Sequence, residues 1–527
     1  MTGLLATLVP ATAQANEPKK ANEPRIMSEP GEITNVVDAF DEENGNSFDV
    51  HLTLGFQRSW LSSRILRETS INGPSNPSLS SGRYTSSLMN VANYSETTSR
   101  LNTRLDIGVY KDIGLYLRIP FILGNDRELT DLNGSAAQQG VVLQGSPLGA
   151  GASGSGREQL FSLPFKSPTR SGIEYLAVGV DFGLFNQARD PSKPTWVFGF
   201  EGRFNVSEPM HACGRTSGLN QTGFSQVSCA NPGDINRNGK GSEVRDLSGA
   251  DAARKGLAEG DNHTTLEGAS AGERKAGVSR GTTALEVHSM MSRRVKYVEP
   301  YGGFRAVFEF SNGGSSDYGA TKGLDAVLTS GPPLQGWMFA GMLVIPYENR
   351  EQFQKLTIDT RFTGSYRSEG RDYSPVFDAL GSSDAPSIRR PNFAEYRGAP
   401  GVGTGQSVVD QSSQKVYATG LTDVAAYGTF TITTSAQFQA GEYVKFQIGG
   451  GYTYIQPHLI TGDQPCNPNF SSNLDKSGPC QTSNGTTRTA TGIPNPLYRA
   501  ATDVVGRRFV MANANQWDLW AQAVVMF

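Results

Sequence analysis

The chain has 527 residues, a formal net charge of −3 and only 37% hydrophobic residues, with 61 glycines. No stretch approaches the ~20 consecutive apolar residues of a membrane helix, and 47 basic against 50 acidic side chains argue against a dedicated nucleic-acid binder. A mean hydropathy of −0.37 leaves room for a membrane protein built of strands, because such a strand needs only every second residue apolar over about 9–11 residues.

The N-terminus carries a short apolar run, Leu4 to Val9, followed by the small-residue pair Ala13-x-Ala15. This is a secretory cleavage pattern and predicts removal of residues 1–15. No Lys or Arg precedes Lys19, as a truncated signal peptide would have it. Residues 16–46 are polar, acidic and proline-containing, and read as a periplasmic tail.

From residue 47 onward the chain alternates with period two. Phe48, Val50, Leu52, Leu54 and Phe56 interleave with Asp49, His51, Thr53, Gly55 and Gln57. Leu101, Leu105, Ile107 and Val109 interleave with Arg100, Asn102, Arg104 and Asp106. After Tyr110-Lys111-Asp112 come Ile113, Leu115, Leu117, Ile119 and Phe121 against Gly114, Tyr116 and Arg118. The predicted strands are 48–59, 100–110, 113–122, 174–186, 195–205, 282–292, 298–309, 336–346, 353–366, 422–438, 441–455 and 514–527. Connections alternate between short turns and long segments, the latter near 60–99, 123–173, 206–281, 310–335, 367–421 and 456–513. A bacterial barrel has this rhythm, with short periplasmic turns, longer extracellular loops and an even strand number. The expected fold is an all-β, up-and-down antiparallel transmembrane barrel of 12 strands, with 14 as the variant and a large soluble β-sandwich with insertions as the alternative. An odd number of crossings would separate the termini; twelve put both in the periplasm.

The last strand runs from Trp517 through Leu519 and Val525 to a terminal Phe527, with every odd position apolar. This ending resembles the terminal strand of Gram-negative outer-membrane β-barrels of the porin or channel type. The resemblance implies outer-membrane lipid and the barrel assembly machinery as partners, and Trp517, Leu519, Val525 and Phe527 as the assembly signal. It covers about a dozen residues, together with the signal-like start and the hairpin rhythm, and matches no particular subfamily.

The face opposite the apolar one carries Arg104, Asp106, Arg118, Asp181, Glu201, Arg203, Glu286, His288, Glu299, Arg305, Asp359, Arg361, Lys445 and Asp518. The signs nearly balance, whereas a strongly selective pore favours one sign. These charges either pair across a filled interior or line a hydrated channel. Twelve strands make a barrel wider than the ~8-strand case that side chains just fill. Gly145 to Gly156 and the 206–281 connection are the candidate constrictions.

Cys213 and Cys229 sit in one loop-like segment and Cys466 and Cys480 in another. Four cysteines allow three connectivities; the two local pairs need no distant loops to meet, and disulfides suit an oxidising compartment. No Cys-x-x-Cys or histidine cluster supports zinc. Asp234, Asn236, Asn238, Lys240, Ser242 and Glu243 resemble the opening of an EF-hand-type calcium loop. Arg245 occupies the twelfth position, where that loop has its bidentate Glu, so the ion would bind weakly or the segment is an Asn/Gly turn. No other cofactor is implied.

His51-Leu52-Thr53 and His288-Ser289-Met290 do not reproduce the His-x-Ser arrangement of the outer-membrane phospholipase, so no catalytic residue is predicted. The expected function is passive passage of small hydrophilic solutes. The alternatives are a surface-binding or adhesion protein anchored by its barrel and, third, a barrel-mouth hydrolase.

Overall fold

In the computed structural model the described residues are 50–70, 86–110, 112–131, 159–187, 190–216, 226–229, 275–312, 317–318, 331–349, 351–383, 385, 388, 392–393, 415–416, 418–441, 443–462, 481–483, 488–490, 497, 499, 501–503 and 506–526. Twelve long strands form the wall: β1 (Val50–Ser70), β2 (Ser86–Tyr110), β3 (Ile113–Asp131), β4 (Leu176–Phe185), β5 (Thr195–Phe204), β6 (Thr282–Ser292), β7 (Val298–Ser311), β8 (Gln335–Asn349), β9 (Gln354–Arg367), β10 (Tyr427–Gln439), β11 (Val444–Ile455) and β12 (Phe509–Met526). Each pairs antiparallel with its neighbours in chain order, and β1 pairs with β12, which closes the barrel. Closure leaves no long unpaired edge, as a wall in hydrocarbon requires.

The period-two pattern explains the wall. Leu54, Phe56, Leu115, Val178, Phe304, Met338, Phe362, Phe430, Ile448 and Leu519 are exposed on the outside, far more apolar surface than a soluble monomer presents. Their sequence neighbours point inward. The short turns gather at one end, and three of them place a residue in the left-handed region: Asp112 (φ 56°), Lys296 (φ 55°) and Phe353 (φ 55°).

Several predicted boundaries are corrected. β1, β2 and β3 rise well beyond the predicted strands, so the 60–99 connection shrinks to 71–85. In this upper section the outer face turns polar, with Ser62 and Arg64, while Leu61 and Ile65 face inward. Lipid-facing alternation therefore ends at the membrane edge. Residues Thr422–Val424 pair with Gly370–Asp372 instead of starting β10. β12 begins at Phe509, where a register shift opposite Ser62 and Arg64 and a positive φ at Asn513 mark a bulge. Such a bulge changes which face the side chains on its two sides take, so Phe509 and Met511 before it lie on the inner face while Trp517 and Leu519 after it point outward.

At the long-connection end, a cap sits inside the raised rim. Val376, Ala379, Leu380, Ala385 and Ile388, around the short helix α1 (Phe377–Gly381), pack against Ile65, Ala92, Tyr94 and Leu129 of β1–β3. Ile460, Ala501 and Phe509 complete the cluster. Each fully buried Leu, Ile or Phe contributes about 1.5–3 kcal/mol, so the cluster holds this connection in the mouth. The inward-folding helix thus comes from the 367–421 connection, which the sequence did not single out. Gly145 to Gly156 lie outside the described residues, while Met210, Ala212 and Cys213 of the 206–281 connection are buried in the cap.

Candidate functional site: the barrel interior

Inward side chains of β2 to β7 form one connected charged wall. Arg104 donates to Asp106 at 2.8 Å and lies 3.3 Å from Asp181. Asp181 meets His288 Nε2 at 2.8 Å, and His288 Nδ1 lies 3.5 Å from Glu286. Arg203 bridges Glu286 and Glu201, and Arg118 also donates to Glu201. Arg305 lies 3.9 Å from Glu286. The sequence order of the strands sets this up, because registers such as His288↔Arg305 and Glu286↔Glu201 put these residues side by side on one face.

The facing wall, β10 to β12, carries few charges and meets the hydroxyl side chains of β9. Ser365 and Thr429 share a 2.6 Å hydrogen bond, Thr431 and Thr453 one of 2.9 Å, and Gln447 donates to Ser435 at 2.8 Å. The charged members of this wall are Lys445, toward the short turns, and Asp518, which accepts hydrogen bonds from Ser59 at 2.5 Å and Gln57 at 3.2 Å.

Large rings lie flat on the inner wall where the opposite strand offers glycine. Tyr301 covers Gly341 and Trp520 covers Gly449, and a Cβ at either glycine would collide with the ring. Glycine in a strand weakens it but permits this close approach. The guanidinium groups stack on such rings: Arg104 at 3.9 Å from the centroid of Tyr116, Arg305 at 4.3 Å from that of Trp337.

The interior is layered along its axis. In the middle, Arg104, Arg305 and Arg361 keep 37%, 38% and 36% of their side-chain surface accessible. Toward the short turns Glu299, Leu343, Ile345, Lys355, Thr357 and Gln439 are buried. Toward the long connections lies the cap. Its polar seam joins Arg280 to Glu309 at 2.8 Å and to Asp372 at 2.8 Å, with Arg367 also on Asp372.

All fourteen residues read onto the inward face point to the interior, Glu299 in the buried layer toward the short turns. Arg104, Asp106, Arg118, Asp181, Glu201, Arg203, Glu286, His288 and Arg305 belong to the charged wall; Asp359 and Arg361 pair at 3.8 Å on β9. Asp518 stands on the facing wall, and Lys445, opposite Gln439 and Val524, lies toward the short turns. Sequence reasoning did not single out Tyr301, Trp337, Phe339 and Trp520; Tyr301 has the parity of Glu299 and Arg305 and Trp520 that of Asp518, whereas no charged residue of β8 shares the parity of Trp337 and Phe339. Cys213 and Cys229 are joined in a disulfide across a small hairpin. Cys466, Cys480, Ala13, Ala15, Phe527 and the whole calcium-like segment Asp234, Asn236, Asn238, Lys240, Ser242, Glu243 lie outside the described residues. Among the described residues, no three His, Cys, Asp or Glu side chains come together as a metal site.

Closed pairing of twelve strands, an apolar outer band and a polar inner face define a transmembrane β-barrel of the bacterial outer-membrane class. No protein-family model matches the sequence, and no curated protein matches it. Among solved structures, the chain is similar to an outer membrane channel from Pseudomonas putida F1, with TM-score 0.32 and 8% identity over 90% of this chain and 95% of that one. A Pseudomonas aeruginosa FadL homologue gives TM-score 0.32 and 7% identity over 91% and 90% of the two chains. The outer membrane protease OmpT from Escherichia coli gives 0.23 and 6% over 91% and 96%. The assignment of class comes from the pairing and surface of this chain itself.

Proposed function

We propose that the barrel is a gated channel for passive diffusion of small hydrophilic solutes, with its mixed-charge middle layer as the selectivity lining. The short turns and both termini face the periplasm, the long connections face outside, and the terminal strand ending in Phe527 is the segment the assembly machinery reads. The observation that carries the reading is the accessible surface of Arg104, Arg305 and Arg361 inside the wall. A dry, filled barrel would leave these guanidinium groups desolvated at a cost of several kcal/mol each, whereas a hydrated chamber solvates them. The cap and the buried layer near the short turns make the path gated instead of permanently open.

Liposome swelling tests this reading. Proteoliposomes in isotonic solutions of neutral solutes should swell with the smallest sugars and amino acids and progressively less with larger ones. Failure to swell with even the smallest solute, by protein shown to be folded and inserted, would contradict it.

A further inference from the structure

The middle layer exposes its two signs unequally. Arg305 and Arg361 keep 38% and 36% of their side chains accessible, while Glu286 and Asp359 keep 6% and 13%. Both pairs are loose, at 3.9 Å and 3.8 Å. Tyr301 donates its hydroxyl hydrogen to Asp359 at 2.6 Å, which further occupies that carboxylate. A solute in the chamber therefore meets guanidinium groups first, although the formal charges balance.

The rings beside them are placed by register. Arg305 stands opposite Trp337, Gly303 opposite Phe339, Tyr301 opposite Gly341 and Gly341 opposite Arg361, so three neighbouring strands present cation, ring and cation in succession. Arg305 lies 4.3 Å from the Trp337 centroid, and Arg361 lies 5.4 Å from those of Phe339 and Tyr301. Arg361 donates its Nε to the Tyr301 hydroxyl at 3.0 Å, which leaves its Nη groups, and those of Arg305, to face a carboxylate; a guanidinium also sheds water more readily than an ammonium. Ring edges and faces nearby accept an aromatic body in offset or edge-to-face packing. On the same strand as Arg361, Ser365 pairs with Thr429 of the next strand and adds neutral hydrogen-bonding groups.

We infer that the patch formed by Arg305, Trp337, Phe339, Tyr301 and Arg361 is a binding site for small aromatic carboxylates, and that these are the preferred solutes of the channel proposed above. The inference deepens the channel reading and rests on it for transport, while binding is measured separately.

Calorimetric titration of the detergent-solubilised full chain with benzoate should give saturable binding, with acetate and benzylammonium at least tenfold weaker. Arg305→Gln with Arg361→Gln should weaken benzoate at least tenfold. Trp337→Leu should remove the advantage of benzoate over acetate. Arg305→Lys keeps the charge but loses the planar fork, so it should weaken benzoate binding while keeping benzoate ahead of benzylammonium. Folding of each variant is checked by heat-dependent gel mobility, and Trp337→Leu and Arg305→Lys serve if the double variant does not fold. Benzoate binding no tighter than acetate or benzylammonium overturns the inference even if the channel conducts. A barrel that binds benzoate but passes no solute contradicts the channel reading and the transport part of the inference, leaving the site.

Discussion

Arg170 and Asp378 meet in a two-pronged ion pair with both side chains buried, Nη1 donating to Oδ2 at 3.0 Å and Nη2 to Oδ1 at 2.5 Å. Arg170 also donates to the carbonyl of His211 at 2.9 Å, and the Cys213 amide donates to Asp378 at 3.0 Å. One carboxylate thus ties the 165–173 segment, the disulfide hairpin and α1 into the cap.

Removing one partner leaves the other charge buried without compensation, at a cost of about 3–5 kcal/mol. Asp378→Asn should therefore loosen the cap without unfolding the wall. Limited proteolysis in detergent should cleave the cap segments much faster than in the wild type, while heat-dependent gel mobility stays unchanged. Unaltered cleavage would mean that the apolar cluster alone holds the cap.

Two carboxylates in the cap titrate in different ranges. Burial pushes Asp503 up to about 6, against hydrogen bonds from the Arg499 amide at 2.8 Å and the Thr502 hydroxyl at 2.9 Å. Its folded value lies above the ordinary ~3.9 of the unfolded chain, so its stabilising contribution is present at low pH and lost as pH rises through 6. Burial acts against the Asp372 carboxylate too, but Arg280 and Arg367 outweigh it and hold its pKa below the ordinary value. That contribution is present at neutral pH and lost only as pH falls below about 4. His458, lowered by burial, works against Asp503 over the same range, so the Asp503 contribution is read as a difference. The urea midpoint of the wild type relative to Asp503→Asn should be higher at pH 5 than at pH 7.5. An equal difference at both values would contradict the assignment.

Trp520 lies across Gly449 on the inner wall, and a side chain at 449 must lift the indole into the chamber. Gly449→Val should lower conductance severalfold with insertion intact. Gly450→Ala, on the outward face with its added carbon 3.4 Å from the Asp518 carbonyl, should leave conductance unchanged.

Leu105 stands on the outer face between Leu52 and Leu117, near the middle of the apolar band. A charge there costs about 2–4 kcal/mol at the bilayer midplane, so Leu105→Arg should reduce the folded fraction on refolding into lipid. Thr103→Ala, on the same face, should refold normally. Deleting Phe527 should reduce insertion in cells; normal insertion would remove the terminal residue from the assembly signal.

The wall was legible because lipid and lumen impose opposite chemistry on alternate residues, and all twelve strands carry that mark. The upper parts of β1, β2 and β3 were not, since Leu61 and Ile65 face a core while Ser62 and Arg64 face water, the reverse of the membrane section. The charged wall could be read from parity alone. Its connectivity could not, because Arg203 reaching Glu286 depends on which strands become neighbours in register. The cap was hidden for another reason: Arg170, Asp378 and Cys213 are far apart in sequence, and no local pattern marks their meeting. Trp337 and Phe339 share the face of Arg305, but only the register between β7 and β8 brings them beside it.

Single-channel recording of the refolded protein in a planar bilayer tests the central claim most directly, with Asp378→Asn as the loosened-cap comparison. The wild type should show discrete opening steps, with a higher open probability when the cap is loosened. Folded, inserted protein that stays electrically silent in both forms would contradict that claim.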